Sequence, residues 1–392
     1  MEENKKPSYK NVFSLGGASL LNDLSSEMIL PILPFFITSL GGGGMAIGLI
    51  GGLRDSFADF LKAFFGYLSD KYKNRSFFIF AGYLTASVFK IFLTFAHTWQ
   101  LVLLAVGCER IGKSMRSAPR NALLIQSTPN NIGLSFGITR ALDTLGALLG
   151  SCVTFVLLNR LNFSLTAIIF IASIISFTSI IPLFWLKEPT ESPTDNLTPL
   201  PSFSFASFKK LPSNFKLFLI ITSTFALGHI SYMFMMLKAN SLFDGHPVAT
   251  TMMLYIIFNI VYTLSAVPAG NFSDILGRRI MLQAGYGLFA ITMFLLIWAT
   301  AFYHLIICFM LYGLAIAFIE VNHRAYAADL APAYCRATAL GVFEGALGLA
   351  MMAAGLIAGA LWEMVGNEFV FAYASVLATG AVIMLTVLRK KL

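Results

Sequence analysis

Four ionisable residues recur at i, i+4, i+7 and i+11 in one stretch: Glu109, Lys113, Arg116 and Arg120. On a helix that spacing puts all four on one face, three cations with one anion. Guanidinium and ammonium groups match carboxylate or phosphate oxygens, so the face suits an anionic ligand. It equally suits an internal ladder, with Glu109 paired to Lys113 and Arg120 to some other carboxylate, and both readings are open at this point. A second pattern is Asn22-Asp23-Leu24-Ser25-Ser26-Glu27-Met28, followed by Pro31 and Pro34. Asp23 and Glu27 lie one turn apart, and two carboxylates in a low-dielectric interior do not easily both ionise, which is what a proton-coupling site requires. Permanent pairing with Arg54, Arg110 or Arg140 is the competing reading. The two prolines predict a kink that would serve as a hinge.

These residues sit in stretches that are otherwise apolar. The 392-residue chain is 57% hydrophobic and only 12% charged, with a mean hydropathy of +0.77, too little polar surface for a soluble protein of this length. A membrane-spanning helix needs about 20 apolar residues. Twelve stretches qualify, at 12–37, 45–69, 76–96, 99–124, 132–158, 164–186, 216–238, 248–271, 279–300, 303–327, 337–362 and 368–388. They are long and continuous, whereas barrel strands would be short and alternating, so the predicted class is an all-α integral membrane protein.

Lys5, Lys6, Lys10, Lys71, Lys73, Arg75, Lys209, Lys210, Lys216, Arg278, Arg279, Arg389, Lys390 and Lys391 all fall on one side of that topology. The positive-inside rule therefore predicts cytoplasmic termini, and the net charge of +8 reads as topology plus contact with anionic lipid rather than with nucleic acid. The N-terminus has no cleavage-site pattern, so the first span is expected to be retained. Cys108, Cys152, Cys308 and Cys335 lack metal-ligand or disulfide-framework spacing. No metal or cofactor site is expected. Neither a phosphate-cradling Gly-rich loop with its Lys nor a His-Glu-x-x-His pattern occurs, which disfavours ATP-driven transport and catalysis. The long connector holds Pro189, Pro193, Pro199, Pro201 and Pro212, then interleaves Phe203, Phe205, Phe208 and Phe215 with lysines. It reads as a tether lying on the cytoplasmic interface. The expected organisation is a six-helix bundle at 1–186, a linker at 187–215 and a second bundle at 216–392.

The two halves are related. Gly66-Tyr-Leu-Ser-Asp70-Lys71-Tyr-Lys73-Asn-Arg75 is answered by Gly270-Asn-Phe-Ser-Asp274-Ile-Leu-Gly277-Arg278-Arg279, with both glycines and both aspartates 204 residues apart (270 − 66 and 274 − 70). The same offset relates Gly137 to Gly341, Arg120 to Arg324, Arg140 to Glu344, Arg116 to Glu320 and Gly41 to Gly245. Two parallel repeats of six helices follow.

The paired motif resembles the loop signature of the major facilitator superfamily, Gly-x-x-x-Asp-Arg-x-Gly-Arg-Arg, which lies between helices two and three and between eight and nine. Lys71, Lys73 and Ile275 depart from it. The resemblance implies twelve spans in two pseudo-symmetric six-helix bundles and a cytoplasmic latch formed by Gly66, Asp70, Arg75, Gly270, Asp274, Arg278 and Arg279; a simple topology anchor is the alternative. Arg120, just after Pro119, and its counterpart Arg324 could gate or bind. The run Arg110-Ile-Gly-Lys-Ser-Met-Arg116 resembles the family's fourth-helix motif, which is associated with proton coupling, and implicates Glu109 and Arg110. The stretch from Asn22 to Met28 resembles one found in a bacterial subgroup with poorly defined substrates. The Gly-Pro pair of drug/proton antiporters is missing, since Ser151 follows Gly150.

The functional expectation is an inner-membrane secondary transporter, a monomer working in the lipid bilayer by alternating access. A small organic anion would touch Lys113, Arg116 and Arg140 in the first half and His229, Lys238 or Arg324 in the second. Asp23 or Glu27 would take the coupled proton. Drug or metabolite efflux is the second reading, and a non-transporting sensor or assembly partner the third.

Overall fold

The computed structural model describes residues 9–128, 131–187, 211–242, 247–331 and 336–387. The basic ends at Lys5, Lys6, Arg389, Lys390 and Lys391, most of the connector including Phe203, Phe205, Phe208, Lys209 and Lys210, and Cys335, Gly245 and His246 lie outside these. So does the side chain of Asp59.

Among the described residues the chain is helical, without strands: α1 (Tyr9–Ile29), α2 (Leu33–Ser39), α3 (Gly44–Tyr72), α4 (Arg75–Thr94), α5 (Trp99–Ser127), α6 (Ile132–Asn159), α7 (Leu165–Thr178) with a 3-10 turn at Ile181–Trp185, α8 (Ser213–Gly228), α9 (Tyr232–Asn240), α10 (Pro247–Leu276), α11 (Arg278–Ile297), α12 (Phe302–Leu330), α13 (Arg336–Met364) and α14 (Asn367–Val387). Nine of these stretches are long and apolar enough to cross a membrane, ten if the bent pair α1 and α2 is one span. The helices α3 and α5, 29 residues each, match the others in length. They fall short of that apolar standard because they hold Arg54, Asp55, Asp59 and Lys62, and Glu109, Arg110, Lys113, Arg116 and Arg120. Outward-facing Leu264, Val267, Ile275, Phe184 and Trp298 are largely exposed, as lipid contact requires.

The helices form two compact units, Met1–Leu33 with Phe57–Leu200, and Pro34–Ser56 with Pro201–Leu392. Residues 34–56, which sequence alone assigns to the first bundle, thus pack with the second. Glycine explains the closeness: a Cβ on Gly48 would strike the carbonyl of Gly355, and one on Gly359 would lie 2.6 Å from the carbonyl oxygen of Gly44. The Met45 N–H also donates to Glu363 Oε1 at 2.9 Å.

Helix pairing repeats between the units. In the first, α1 packs on α6 and α7, and α4 on α5 and α7; in the second, α8 packs on α13 and α14, and α11 on α12 and α14. The first span bends by 45° between α1 and α2, at Pro31, as a proline-dense stretch predicts. The seventh is also broken, at His229–Ser231, which the continuous apolar run at 216–238 does not foretell.

Candidate functional site

Two close crossings bring the first unit's polar residues together. Helix α6 crosses α1 at Gly146 and Gly150, where a Cβ would meet the carbonyls of Leu20 and Leu24. Helix α5 crosses α4 at Gly112 and Gly82: a Cβ on Gly82 would lie 2.6 Å from Gly112 O, and one on Gly112 2.7 Å from Gly82 O. Backbone contact of this kind is how helices associate where lipid removes the hydrophobic drive between them. It sets Asn22 and Asp23 of α1, Tyr83 and Lys90 of α4, Arg116 and Arg120 of α5, and Asp143 of α6 in one neighbourhood.

The centre of the group is Asn22, almost fully buried. Its Oδ1 accepts from Lys90 Nζ at 3.3 Å and from Arg116 Nη1 at 3.2 Å, while its Nδ2 donates to Asp23 Oδ1 at 3.2 Å. Lys90 also donates to Asn22 O, Ser25 Oγ and Ser26 Oγ, at 3.3, 3.2 and 2.9 Å. The guanidinium carbon of Arg116 lies 4.2 Å from the centre of the Tyr83 ring, a cation–π stack in a desolvated place. Lys90 and Arg116 are 4% and 6% exposed, and among the described residues each of their hydrogen bonds goes to a neutral oxygen. Two buried cations thus meet on one amide oxygen, and the Glu109 carboxylate is close enough to act electrostatically on both. Asp23 is close enough to interact electrostatically with Arg116, Lys113, Arg120 and Asp143.

Two other buried or half-buried cations of the unit are paired. Glu109 is bridged to its neighbour Arg110 at 2.6 Å, both buried, and Arg120 Nη2 donates to both Asp143 oxygens, at 3.1 and 3.3 Å. Of the face predicted for α5, Arg116 is buried, Lys113 exposed and Arg120 half-buried. Arg140 is exposed on α6, and Glu27 is half-buried where α1 meets Gly150, its Cβ 3.0 Å from a Cβ built there. Sequence reasoning assigns no role to Lys90, Asn22 or Tyr83. The signal for Lys90 was its isolation in α4, where a lone cation demands acceptors.

In the second unit, Glu320 Oε2 accepts from the Tyr262 hydroxyl at 2.5 Å, His323 Nε2 and the Tyr286 hydroxyl share a 2.6 Å hydrogen bond, and Arg324 pairs with Glu344 at 2.8 Å. His229 stands at the break between α8 and α9, stacked on Phe289 at 5.5 Å, its Nδ1 buried without a partner. Lys238 is buried in the last turn of α9, while Arg324 lies near the C-terminal end of α12. In spans that alternate in direction these are opposite ends, so one small ligand does not touch both.

The doubled motif has clear local geometry. Lys73 adopts φ 50° and Gly277 φ 91°, in positions 204 residues apart (277 − 73), so both copies use a left-handed residue to end one helix and start the next. In the first copy Arg75 bridges Asp70 at 3.1 Å, and a Cβ on Gly66 would lie 3.1 Å from Ala118 Cβ. In the second, Arg278 donates to Asp329 Oδ2 at 2.5 Å and Ala325 O at 2.7 Å, Arg279 reaches the Leu385 carbonyl, and a Cβ on Gly270 would lie 3.9 Å from Val321 Cγ1. Asp274 lines a cavity of about 720 Å³ with Arg278, Arg279, Gln283, Tyr326 and Asp329.

The chain is 42% identical over 381 residues, 96% of its length and 94% of the relative's, to an uncharacterized MFS-type transporter of Methanocaldococcus jannaschii. It is 24% identical over 367 residues, 91% of its length and 87% of the relative's, to an uncharacterized protein of Mycobacterium tuberculosis. Its fold is similar to those of the nucleoside transporter NupG, with TM-score 0.79 and 16% identity over 97% of this chain and 98% of that one, and of the peptide transporter POT in complex with sulfate, with TM-score 0.73 and 14% identity over 100% and 95%. The family model of the Major Facilitator Superfamily matches residues 15–247 and again 242–391. With its two repeats, its membrane-spanning helices and its doubled motif, the chain belongs to the Major Facilitator Superfamily and is a multi-pass membrane transporter.

Proposed function

We propose that the chain moves a small organic anion across the inner membrane by proton-coupled alternating access, with both termini in the cytoplasm. The observation that carries this reading is the meeting of Lys90 and Arg116 on Asn22, with no carboxylate hydrogen-bonded to either among the described residues. Lys90 spends its donors on four oxygens of α1 and supplies charge from behind. Arg116 has one bonded Nη and a ring beneath it, which leaves the rest of its fork to a carboxylate or phosphate. Exposed Lys113 and Arg140 would guide the anion in.

Asp23 supplies the coupling. It interacts electrostatically with Arg116 while holding, among the described residues, a single hydrogen bond, from Asn22. An anion arriving at Arg116 repels that carboxylate, and a proton taken up by Asp23 relieves the repulsion, so anion and proton load together. Glu27, Glu109 and Arg110 would tune the field around it, and the pairs Asp70–Arg75 and Arg278–Asp329 would latch the cytoplasmic ends.

The test is uptake into proteoliposomes of a panel of carboxylates and phosphate esters under imposed pH and voltage gradients. Accumulation of at least one anion, driven by an inward proton gradient and abolished in Arg116→Gln, is the expected result. Uptake indifferent to the gradient and unimpaired in Arg116→Gln would overturn the reading.

A further inference from the structure

Two buried donors of the first unit have no acceptor. The hydroxyl of Tyr83 and the Nε of Arg120 are both enclosed without a hydrogen-bond partner among the described residues. Tyr83 is 1% exposed and belongs to an apolar cluster with Leu15, Ile79 and Leu123, so its ring is fixed and its hydroxyl finds nothing polar there. Arg120 is anchored through Nη2, which donates to Asp143. Tyr83 also acts electrostatically on the Arg120 guanidinium, as Asp143 and Asp23 do. Orphaned donors are rare in folded proteins, and each calls for an acceptor.

The same ring carries Arg116. Its guanidinium carbon lies 4.2 Å from the ring centre, brought there by the crossing at Gly82, where a Cβ would lie 2.9 Å from Arg116 Cβ. A phenol hydroxyl lies in the plane of its ring, so the Tyr83 donor sits one layer below the Arg116 fork. A carboxylate gripped by that fork is planar with it, and both its oxygens stay in the upper layer. A phosphoryl group is tetrahedral and offers three acceptor oxygens. Two can meet the fork while the third drops out of the plane, to accept from the Tyr83 hydroxyl and Arg120 Nε. Of the two acids nearby, Asp143 is bridged to Arg120 and Asp23 is the group assigned the coupled proton, so neither bars a doubly charged ester. The position equivalent to Tyr83 in the second unit is Gly287 (287 − 83 = 204), so the helix packing that the two halves share does not itself call for a phenol.

We propose, on the footing of the anion reading, that the group docking at Arg116 is the phosphoryl of a small phosphate monoester, and that Tyr83 selects it over a carboxylate. Arg116 supplies the charge and the fork. The Tyr83 hydroxyl and Arg120 Nε supply the donors that only a third oxygen reaches, and a carboxylate leaves both of them unsatisfied.

Equilibrium binding to the full-length purified protein tests this with matched pairs: ethyl phosphate and propionate, phenyl phosphate and benzoate, ribose 5-phosphate and ribonate. The wild type is expected to bind the ester of at least one pair about tenfold or more tighter than its carboxylate. Tyr83→Phe keeps the ring under Arg116 and removes only the hydroxyl. It is expected to weaken the ester, leave the carboxylate where it was, and bring the ratio within about threefold. A ratio unchanged in Tyr83→Phe, or both members weakened alike, makes Tyr83 a packing residue and overturns the proposal. If that variant folds poorly, Arg120→Lys removes the Nε donor and keeps a cation for Asp143, and an unchanged ratio there overturns it instead. Wild-type protein that binds carboxylates as tightly as their esters sinks this proposal and leaves the anion reading standing. Binding of neither member of any pair sinks both.

Discussion

Replacing Lys90 by Gln separates a charge that serves a ligand from one that only ties helices together. Lys90 Nζ and Arg116 Nη1 bond the same oxygen at 3.3 and 3.2 Å, which bounds their separation at 6.5 Å (3.3 + 3.2). Like charges at that distance repel by about 2.5 kcal/mol at an effective dielectric constant of about 20. Against that relief stands the loss of Lys90's hydrogen bonds, about 1.5–3 kcal/mol for a charged donor, part of which the Gln amide recovers. Without ligand, Lys90→Gln is therefore expected to unfold within about 1 kcal/mol of the wild type. With ligand the balance differs, because an anion on Arg116 sits about 8 Å from Lys90 and loses about 2 kcal/mol of attraction, roughly 30-fold in affinity. Thermal unfolding of the purified protein with and without the best-bound anion reads both quantities. An anion at about 100 times its Kd stabilises the wild type by about 2.7 kcal/mol, and after a 30-fold loss by about 0.9 kcal/mol. A variant that is several kcal/mol less stable without ligand, yet keeps the whole anion-dependent gain, would refute the anion site and make Lys90 a structural tie.

Asp23→Asn removes the proton-accepting carboxylate and leaves the cations in place, so anion exchange across proteoliposomes is expected to persist while gradient-driven accumulation is lost; accumulation at the wild-type level would exclude Asp23 as the coupling group. Gly112→Val puts a side chain where a Cβ already lies 2.7 Å from Gly82 O, an overpacking worth about 1–3 kcal/mol, and by spreading α4 from α5 it should also blunt anion protection. Intact protection in a destabilised Gly112→Val would mean that the crossing does not position Arg116. Lys73→Gly removes the left-handed strain of a residue with φ 50°, worth about 1 kcal/mol, so the variant is expected to melt higher; a lower melting temperature would mean that the Lys73 side chain contributes more than its backbone costs.

Composition and run length made the fold legible, because a bilayer demands long apolar helices and leaves few alternatives. The repeat was legible for the same reason that Lys73 and Gly277 both take a positive φ: a tight junction between two spans survives changes of side chain. The bend at Pro31 could be read from the proline ring. The break at His229 could not, since Gly228 and Ser231 are common in continuous membrane helices and the interruption depends on packing, a Cβ on Gly228 lying 2.7 Å from Leu377 Cβ. Within the site, periodicity found the cationic face of α5 but not which of its members are buried. Lys113 and Arg116 are one turn apart in sequence, yet only Arg116 points at α4. Asn22 was invisible as a hub because a single amide carries no pattern, and its role arises only where three helices meet.

The two units reach one architecture from different chemistry, and the difference has a direction. Each opens with an interrupted span, made by prolines in the first and by a Gly-His-Ile-Ser sequence in the second. At the equivalent depth on the fourth helix of each, the first unit holds Arg116 over a ring and the second holds Glu320 under a phenol. Asp55 has Asn259 as its counterpart (259 − 55 = 204), so the acid on α3 is not repeated on α10. Buried polar groups are costly wherever they serve no purpose, and a duplicated bundle selected for packing alone would have lost such charges in both copies. That one unit holds a buried cation and the other an acid at matching positions means that the duplication kept the helix packing while the polar chemistry diverged.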